Sequence, residues 1–224
     1  MKVYQTSEIR NIALAGHSHS GKTTLSEVML WSLKQSDRLG KVEDGTTLSD
    51  YDPEEARRQC SIQASVLPVE HNKCKINFID LPGFRDFVGE IKRGLRASDG
   101  VVLVIDATGG LETGSKFAWD AAVEFNRPRI IFVNKLDKEH TNFEQSVEKL
   151  QEGLGTRVVP ITLPVGEGPN FKAVIDLIKM KMITAKRTLF YRRSVSRRFL
   201  PIWRTRRRRR TRRWSRQRPK VTTS

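Results

Sequence analysis

Eight residues constrain this chain more than any others: Gly16, His17, Ser18, His19, Ser20, Gly21, Lys22 and Thr23 read GxxxxGKT. They follow an apolar run of strand length, Asn11 to Ala15, and open a segment of helical period, Lys22 to Lys34. Two glycines let the backbone curl so that successive N–H groups face one point, and the helix that begins there adds partial positive charge. The group that satisfies such a nest is an anion. Lys22 then reaches the β- and γ-phosphates of a nucleotide, Thr23 offers a hydroxyl to Mg²⁺, and Thr24 continues the same turn. His17 and His19 have no further His or Cys cluster to complete a metal site, so they read as loop residues.

Downstream, apolar runs alternate with helix-period segments, which implies parallel strands joined by helical crossovers. Strands are expected over Asn11 to Ala15, Ala64 to Glu70, Lys75 to Asp80, Val101 to Asp106, Arg129 to Asn134 and Arg157 to Leu163. Helices are expected over Lys22 to Lys34, Phe87 to Arg96, Gly114 to Phe125, Asn142 to Gln151 and Phe171 to Met182. The expected class is α/β, with a mostly parallel sheet. Between Ser36 and Ser61 lie Gly40, Gly45, Pro53 and seven acidic residues without sustained periodicity. A connector of that length is expected to respond to a ligand.

Two further motifs sit at strand ends, where ligands of open α/β sheets bind. Asp80, Leu81, Pro82 and Gly83 place a carboxylate at the end of the third strand and free a backbone N–H after it. Asp80 is expected to hold Mg²⁺ through water, and the amide of Gly83 to meet the γ-phosphate. Asn134, Lys135, Leu136 and Asp137 follow the fifth strand. A carboxylate accepts two hydrogen bonds from the N1–H and 2-amino group of guanine, whereas adenine offers no donors there. Such a site discriminates by up to ~10⁴-fold or more. Asn134 is expected to steady the loop and the base, and the stem of Lys135 to cover the ring.

GxxxxGKT, DxxG and NKxD in this order resemble the signature of the P-loop GTPases. The stretches GHSHSGKTTL, DGTTLSDYDPEEARRQCSI, INFIDLPGFRDF, ASDGVVLVIDATGG and IIFVNKLDKE are similar to the GTPase domain of bacterial elongation factor G and its paralogues. The likeness covers about residues 8 to 188. It implies a three-layer P-loop GTPase domain over residues 1–153, incomplete at its C-terminal end, and the start of an inserted subdomain over 154–185. It also implies GTP and GDP with Mg²⁺ as cofactors, and the ribosome, both rRNA and ribosomal proteins, as partner in translocation or a related step. Residues near Asp37 to Ile62 match the first switch, where the family's Mg²⁺-ligating Thr falls on Ser61. The second switch begins with Asp80 to Phe87. Phe84 stands at the position of the family's water-orienting His, and a phenyl ring neither donates nor accepts that bond. His19 replaces an acidic residue of the family's phosphate loop. A nucleotide-binding pseudo-GTPase and a non-functional fragment are the competing expectations.

Charge divides the chain in two. Residues 1–185 carry 24 basic and 25 acidic residues, and residues 186–224 carry 15 Arg, 2 Lys and no acid. Such a tail cannot build a core. It reads as an RNA-binding arm with Trp203 and Trp214 for stacking, as a solvated disordered extension, or as an out-of-frame end. A frameshift explains the abrupt change best, because the resemblance implies an acidic continuation here and Glu codons read one nucleotide out of frame become Arg codons. Only Cys60 and Cys74 occur, too few for a disulfide lattice, and the longest apolar run, Val101 to Ile105, is far short of a membrane span. A cytoplasmic protein without membrane or DNA partners is expected.

Overall fold

The computed structural model describes residues 3–184 and the strand at 195–198. The chain divides into two compact units, Met1–Val158 with Glu167–Pro169, and Val159–Gly166 with Asn170–Ser224.

The first unit is built on a five-stranded sheet of β1 (Ile9–Ala15), β2 (Ser65–His71), β3 (Cys74–Asp80), β4 (Gly100–Asp106) and β5 (Arg129–Asn134). The order is β2-β3-β1-β4-β5. β1 runs parallel to β3 and β4, and β4 parallel to β5, while β2 pairs antiparallel with β3 through a tight hairpin. Pro68 lies on β2, an outer strand, where its missing N–H interrupts no second ladder.

The helices are α1 (Lys22–Ser32), α2 (Pro53–Arg58), α3 (Val88–Ala97), α4 (Thr113–Glu124) and α5 (Phe143–Leu154). On one face of the sheet, Ala13, Ile79, Val101, Leu103 and Ile105 pack with Ile91 and Leu95 of α3, Ala118, Ala121 and Ala122 of α4, and Leu150 and Leu154 of α5. On the other, Leu30 of α1 packs against Leu67 and Val69 of β2, with Ile76 and Phe78 of β3 beside them. Alternation along β3 sends Ile79 to one layer and Phe78 to the other, which yields three layers. Burying each large aliphatic side chain contributes roughly 1.5–3 kcal/mol. The core thus rigidly holds the strand ends from which the loops emerge.

Helix ends follow local chemistry. The Oδ1 of Asn142 accepts the N–H of Gln145 at 3.0 Å at the start of α5, and Gly155 closes it at φ 59°. α2 falls within the connector expected to be irregular. Asp52 caps it and forms a reciprocal capping box with Glu55, and Pro53 occupies the first helical position.

The second unit is a four-stranded sheet of β6 (Thr162–Val165), β7 (Ala173–Asp176), β8 (Lys181–Thr184) and β9 (Val195–Arg198), each antiparallel to its neighbours. Two expectations fail here. The helix over Phe171 to Met182 is a hairpin: Ala173 and Ile175 are buried in alternation, and Asp176 Oδ1 accepts the N–H groups of Ile178 and Lys179 to form the turn. Met180 sits at φ 55°, which a helix does not allow. The strand over Arg157 to Leu163 begins only at Thr162 and pairs with β7, not with the parallel sheet. Apart from β9, the arginine-rich tail lies outside the described residues.

Among the described residues no helix is long and apolar enough to cross a membrane.

Candidate functional site

The turn from β1 into α1 takes the form its glycines require. Gly16 has φ 148° and Gly21 φ 94°, and a Cβ at Gly16 would collide with the carbonyl oxygen of Val104. Gly21 is the N-cap of α1 and supplies no side-chain acceptor, which leaves the first-turn N–H groups open to a ligand. His19 also adopts a left-handed conformation, at φ 59°. Ser20 is fully buried, its Oγ without a hydrogen-bond partner. Lys22 is buried and donates from Nζ to the carbonyl of His17 at 2.9 Å. Burial lowers its pKa, against the opposing pull of Asp80, Asp50 and Glu112.

Behind the loop, the His17 N–H donates to Ser115 Oγ at 3.0 Å, and His17 Nε2 lies 3.6 Å from Glu112 Oε1. Groups of three or more His, Cys, Asp or Glu arranged for a metal are absent among the described residues.

Asp80, at the end of β3, is buried. Thr23 Oγ1 donates to its Oδ2 at 2.7 Å and lies 3.3 Å from Ser61 Oγ, which donates to Asp50 Oδ1 at 2.8 Å. Burial pushes the Asp80 carboxyl up to about 7, while Lys22 and the Thr23 hydrogen bond oppose the shift. Asp50 is raised by burial too. The second oxygen of Asp80, Oδ1, is buried without a hydrogen-bond partner. Two hydroxyls and a carboxylate with an orphaned buried oxygen form the all-oxygen donor set that suits a hard divalent cation such as Mg²⁺.

After β3 the chain passes through Leu81 and Pro82, both fully buried, and brings Gly83 against the phosphate loop. A Cβ on Gly83 would lie 2.5 Å from the backbone nitrogen of Ser18 and 2.7 Å from Lys22 Nζ. Phe84 follows, 36% exposed, with its ring edge-on to His19.

From the end of β5, Asn134 Nδ2 donates to the carbonyl of Ser20 at 2.9 Å. Lys135, at φ 58°, donates from Nζ to the carbonyl of His19 and to Asp106 Oδ2, both at 2.7 Å. Burial raises the Asp106 carboxyl, but hydrogen bonds from Lys135 and Thr108 outweigh it and hold the group below the usual range. The carbonyl of Leu136 accepts the Thr141 hydroxyl at 3.0 Å. Asp137 is exposed on the turn.

These loops surround a cleft of about 280 Å³ lined by Ser18, His19, Gly21, Lys22, Thr23, Thr24, Asp50, Ser61, Gly83 and Lys135, among others. Asn134, Leu136 and Asp137 do not line it, although Asn134 is hydrogen-bonded to the carbonyl of Ser20 in the phosphate loop. Sequence reasoning missed Asp50 and Asp106. Asp50 is one of several acids in an irregular connector, and Asp106 ends β4 without any motif, so only the fold reveals what each touches.

The sequence profile of the elongation factor Tu GTP binding domain matches residues 7–204. Elongation factor G of Thermotoga neapolitana is 41% identical over 176 residues, which cover 79% of this chain and 25% of that protein. Elongation factor G of Mycoplasma pneumoniae is 40% identical over 173 residues, 77% of this chain and 25% of that protein. The chain thus spans about a quarter of the length of these relatives. A crystal structure of a protein from Thermus thermophilus superposes with a TM-score of 0.82 at 33% identity, covering 91% of this chain and 30% of that one. With the strand–glycine turn–helix of residues 9–32 and the loops after β3 and β5 gathered at one edge of the sheet, the chain, similar over its matched length to elongation factor G, belongs to the elongation factor Tu GTP binding domain family.

Proposed function

We propose that this chain binds GTP and GDP with Mg²⁺ and hydrolyses GTP as the nucleotide-binding domain of an elongation factor G-like translational GTPase, acting on the ribosome in the cytoplasm. The observation that supports it most is the meeting of three separate motifs at one cleft: Lys135 against the carbonyl of His19, Thr23 against Asp80, and Gly83 against Ser18 and Lys22.

In this reading the backbone amides of residues 16–23 and the Lys22 ammonium grip the phosphates. Burial matters to that role. A partly desolvated lysine in a water-poor cleft interacts more strongly with phosphate than a solvated one does. Gly83 presents its amide to the terminal phosphate, and its lack of a side chain permits the approach to Ser18. Thr23, Ser61 and Asp80 would hold Mg²⁺, which supplies charge neutralisation across the phosphate oxygens when bound. Asn134 ties the base-reading loop to the phosphate loop, the Lys135 stem covers the purine, and Asp137 accepts from guanine. Its exposure leaves the carboxylate free to meet a base that arrives from solvent.

Phe84 favours a second reading, a nucleotide-binding module that turns over little. Lacking a group to orient water, an isolated domain is expected to hydrolyse GTP at only ~10⁻⁴ per second. A single-turnover assay with and without ribosomes separates the two. Fast ribosome-dependent phosphate release supports the GTPase, and release no faster with ribosomes than without supports the binding module.

A further inference from the structure

We propose that the buried carboxylate of Glu27 is a positioning residue that ties the connector between α1 and α2 to the turn carrying Thr23, and so sets how tightly the site holds Mg²⁺. The magnesium part rests on the nucleotide reading above; the tether does not.

Glu27 lies four residues after Thr23, on the same face of α1, and is 0% exposed. A carboxylate in that environment needs compensation. Among the described residues no ion pair involves it; its compensation comes from the connector's backbone. Glu27 Oε1 accepts the N–H of Leu48 at 2.6 Å, and Oε2 accepts the N–H of Gly40 at 3.2 Å. Gly40 is closely fitted to this task. A Cβ there would stand 2.5 Å from Glu27 Oε2 and 2.8 Å from both the carbonyl of Thr46 and the Cα of Thr47.

The tether closes a ring. Two residues beyond Leu48, Asp50 accepts the hydroxyl of Ser61, and Ser61 lies 3.3 Å from Thr23, one helical turn before Glu27. Ser61, just beyond α2, therefore reaches the metal-binding turn at the end of a segment whose first part is held by Glu27 at Gly40 and Leu48. Without the two backbone bonds, the connector loses its tie to α1 at Gly40 and Leu48, and Asp50 and Ser61 lose their fixed distance from Thr23. The phosphate loop itself does not depend on Glu27, since its braces come from Ser115 and Asn134.

The test compares the full chain with Glu27→Ala and Glu27→Gln by amide exchange and by release of a fluorescent GDP analogue at varied Mg²⁺. Glu27→Ala is expected to speed exchange across residues 40–48 by about 10-fold or more while leaving residues 143–154 unchanged. It is also expected to raise the Mg²⁺ concentration that half-maximally slows GDP release by about 10-fold, with release in EDTA unaltered. Glu27→Gln keeps one acceptor and should fall between, losing protection at one of the two amides; it decides the matter if the alanine variant does not fold. Exchange over 40–48 as in the unmodified chain overturns the tether. Release accelerated equally in EDTA overturns the coupling to Mg²⁺. An unmodified chain that retains no GDP contradicts the nucleotide reading, and the exchange result then decides the tether by itself.

Discussion

The imidazole of His19 and the phenyl ring of Phe84 meet edge to face, their centroids 6.2 Å apart and their planes at 88°. The two positions that the resemblance reads as departures from the family's phosphate-loop and second-switch patterns are therefore neighbours in space. The pair joins the phosphate loop to the segment after Gly83 through an aromatic contact, where a polar pair would reach toward water instead. His19 lines the cleft and Phe84 does not.

Restoring an imidazole at the second position should restore water orientation. Phe84→His is expected to raise single-turnover GTP hydrolysis by about 10²-fold with nucleotide affinity unchanged. Quenched-flow phosphate release measures this, and an unaltered rate would mean that the loop after Asp80 does not face the attacking water.

Gly21 is at φ 94°, and a side chain there would also collide with Asn134 Nδ2. Gly21→Ala should lose at least about 1–2 kcal/mol from the left-handed backbone alone. Thermal melting and nucleotide titration should both show the loss, because the contact between the phosphate loop and the loop after β5 is broken in the same step.

The pairing of Lys135 with Asp106 makes stability depend on acid. The Asp106 carboxyl titrates below its ordinary range, so its contribution is fully present above the unfolded-state value of ~3.9 and is lost as pH falls through the folded-state value. Asp106→Asn should therefore destabilise the chain by about 1 kcal/mol at pH 7, a figure already discounted for partial exposure. The gap between variant and parent in urea unfolding should close below about pH 4. A gap that widens on acidification would contradict the pairing.

Much of this arrangement is legible before the fold. GxxxxGKT predicts the strand-turn-helix found at Ile9–Ser32, expected over Asn11 to Lys34, and β5 spans the expected Arg129 to Asn134 around the apolar run Ile130 to Val133. These succeed because local pattern and burial agree. The helix expected over Phe171 to Met182 fails because Val174, Ile175 and Ile178 satisfy a spacing of three and four, whereas the residues actually buried, Ala173 and Ile175, follow an alternation of two. The Asp176 turn then decides in favour of the hairpin. α2 announces itself through Asp52, Pro53 and Glu55, a capping signature hidden by an acidic, glycine-containing context. Of the site, the motif residues are readable, but Glu27, Asp50 and Asp106 are not. Their roles come from contacts 11 to 29 residues distant in sequence, and no local pattern encodes them.

Leu103 is 1% exposed at the centre of β4. Leu103→Ala should cost about 2–5 kcal/mol in urea unfolding without altering which nucleotide is preferred. A change in preference would imply that β4 shapes the base site directly.

Base selection by Asp137 tests the account at its centre. Calorimetric titration of the chain and of Asp137→Asn with GTP, ATP and XTP, all with Mg²⁺, is predicted to show GTP bound and ATP rejected by the chain. The variant should then lose GTP and gain XTP, because an amide matches the xanthine edge and not the guanine edge. Equal affinity of the chain for GTP and ATP, or a variant that keeps its GTP preference, would contradict it.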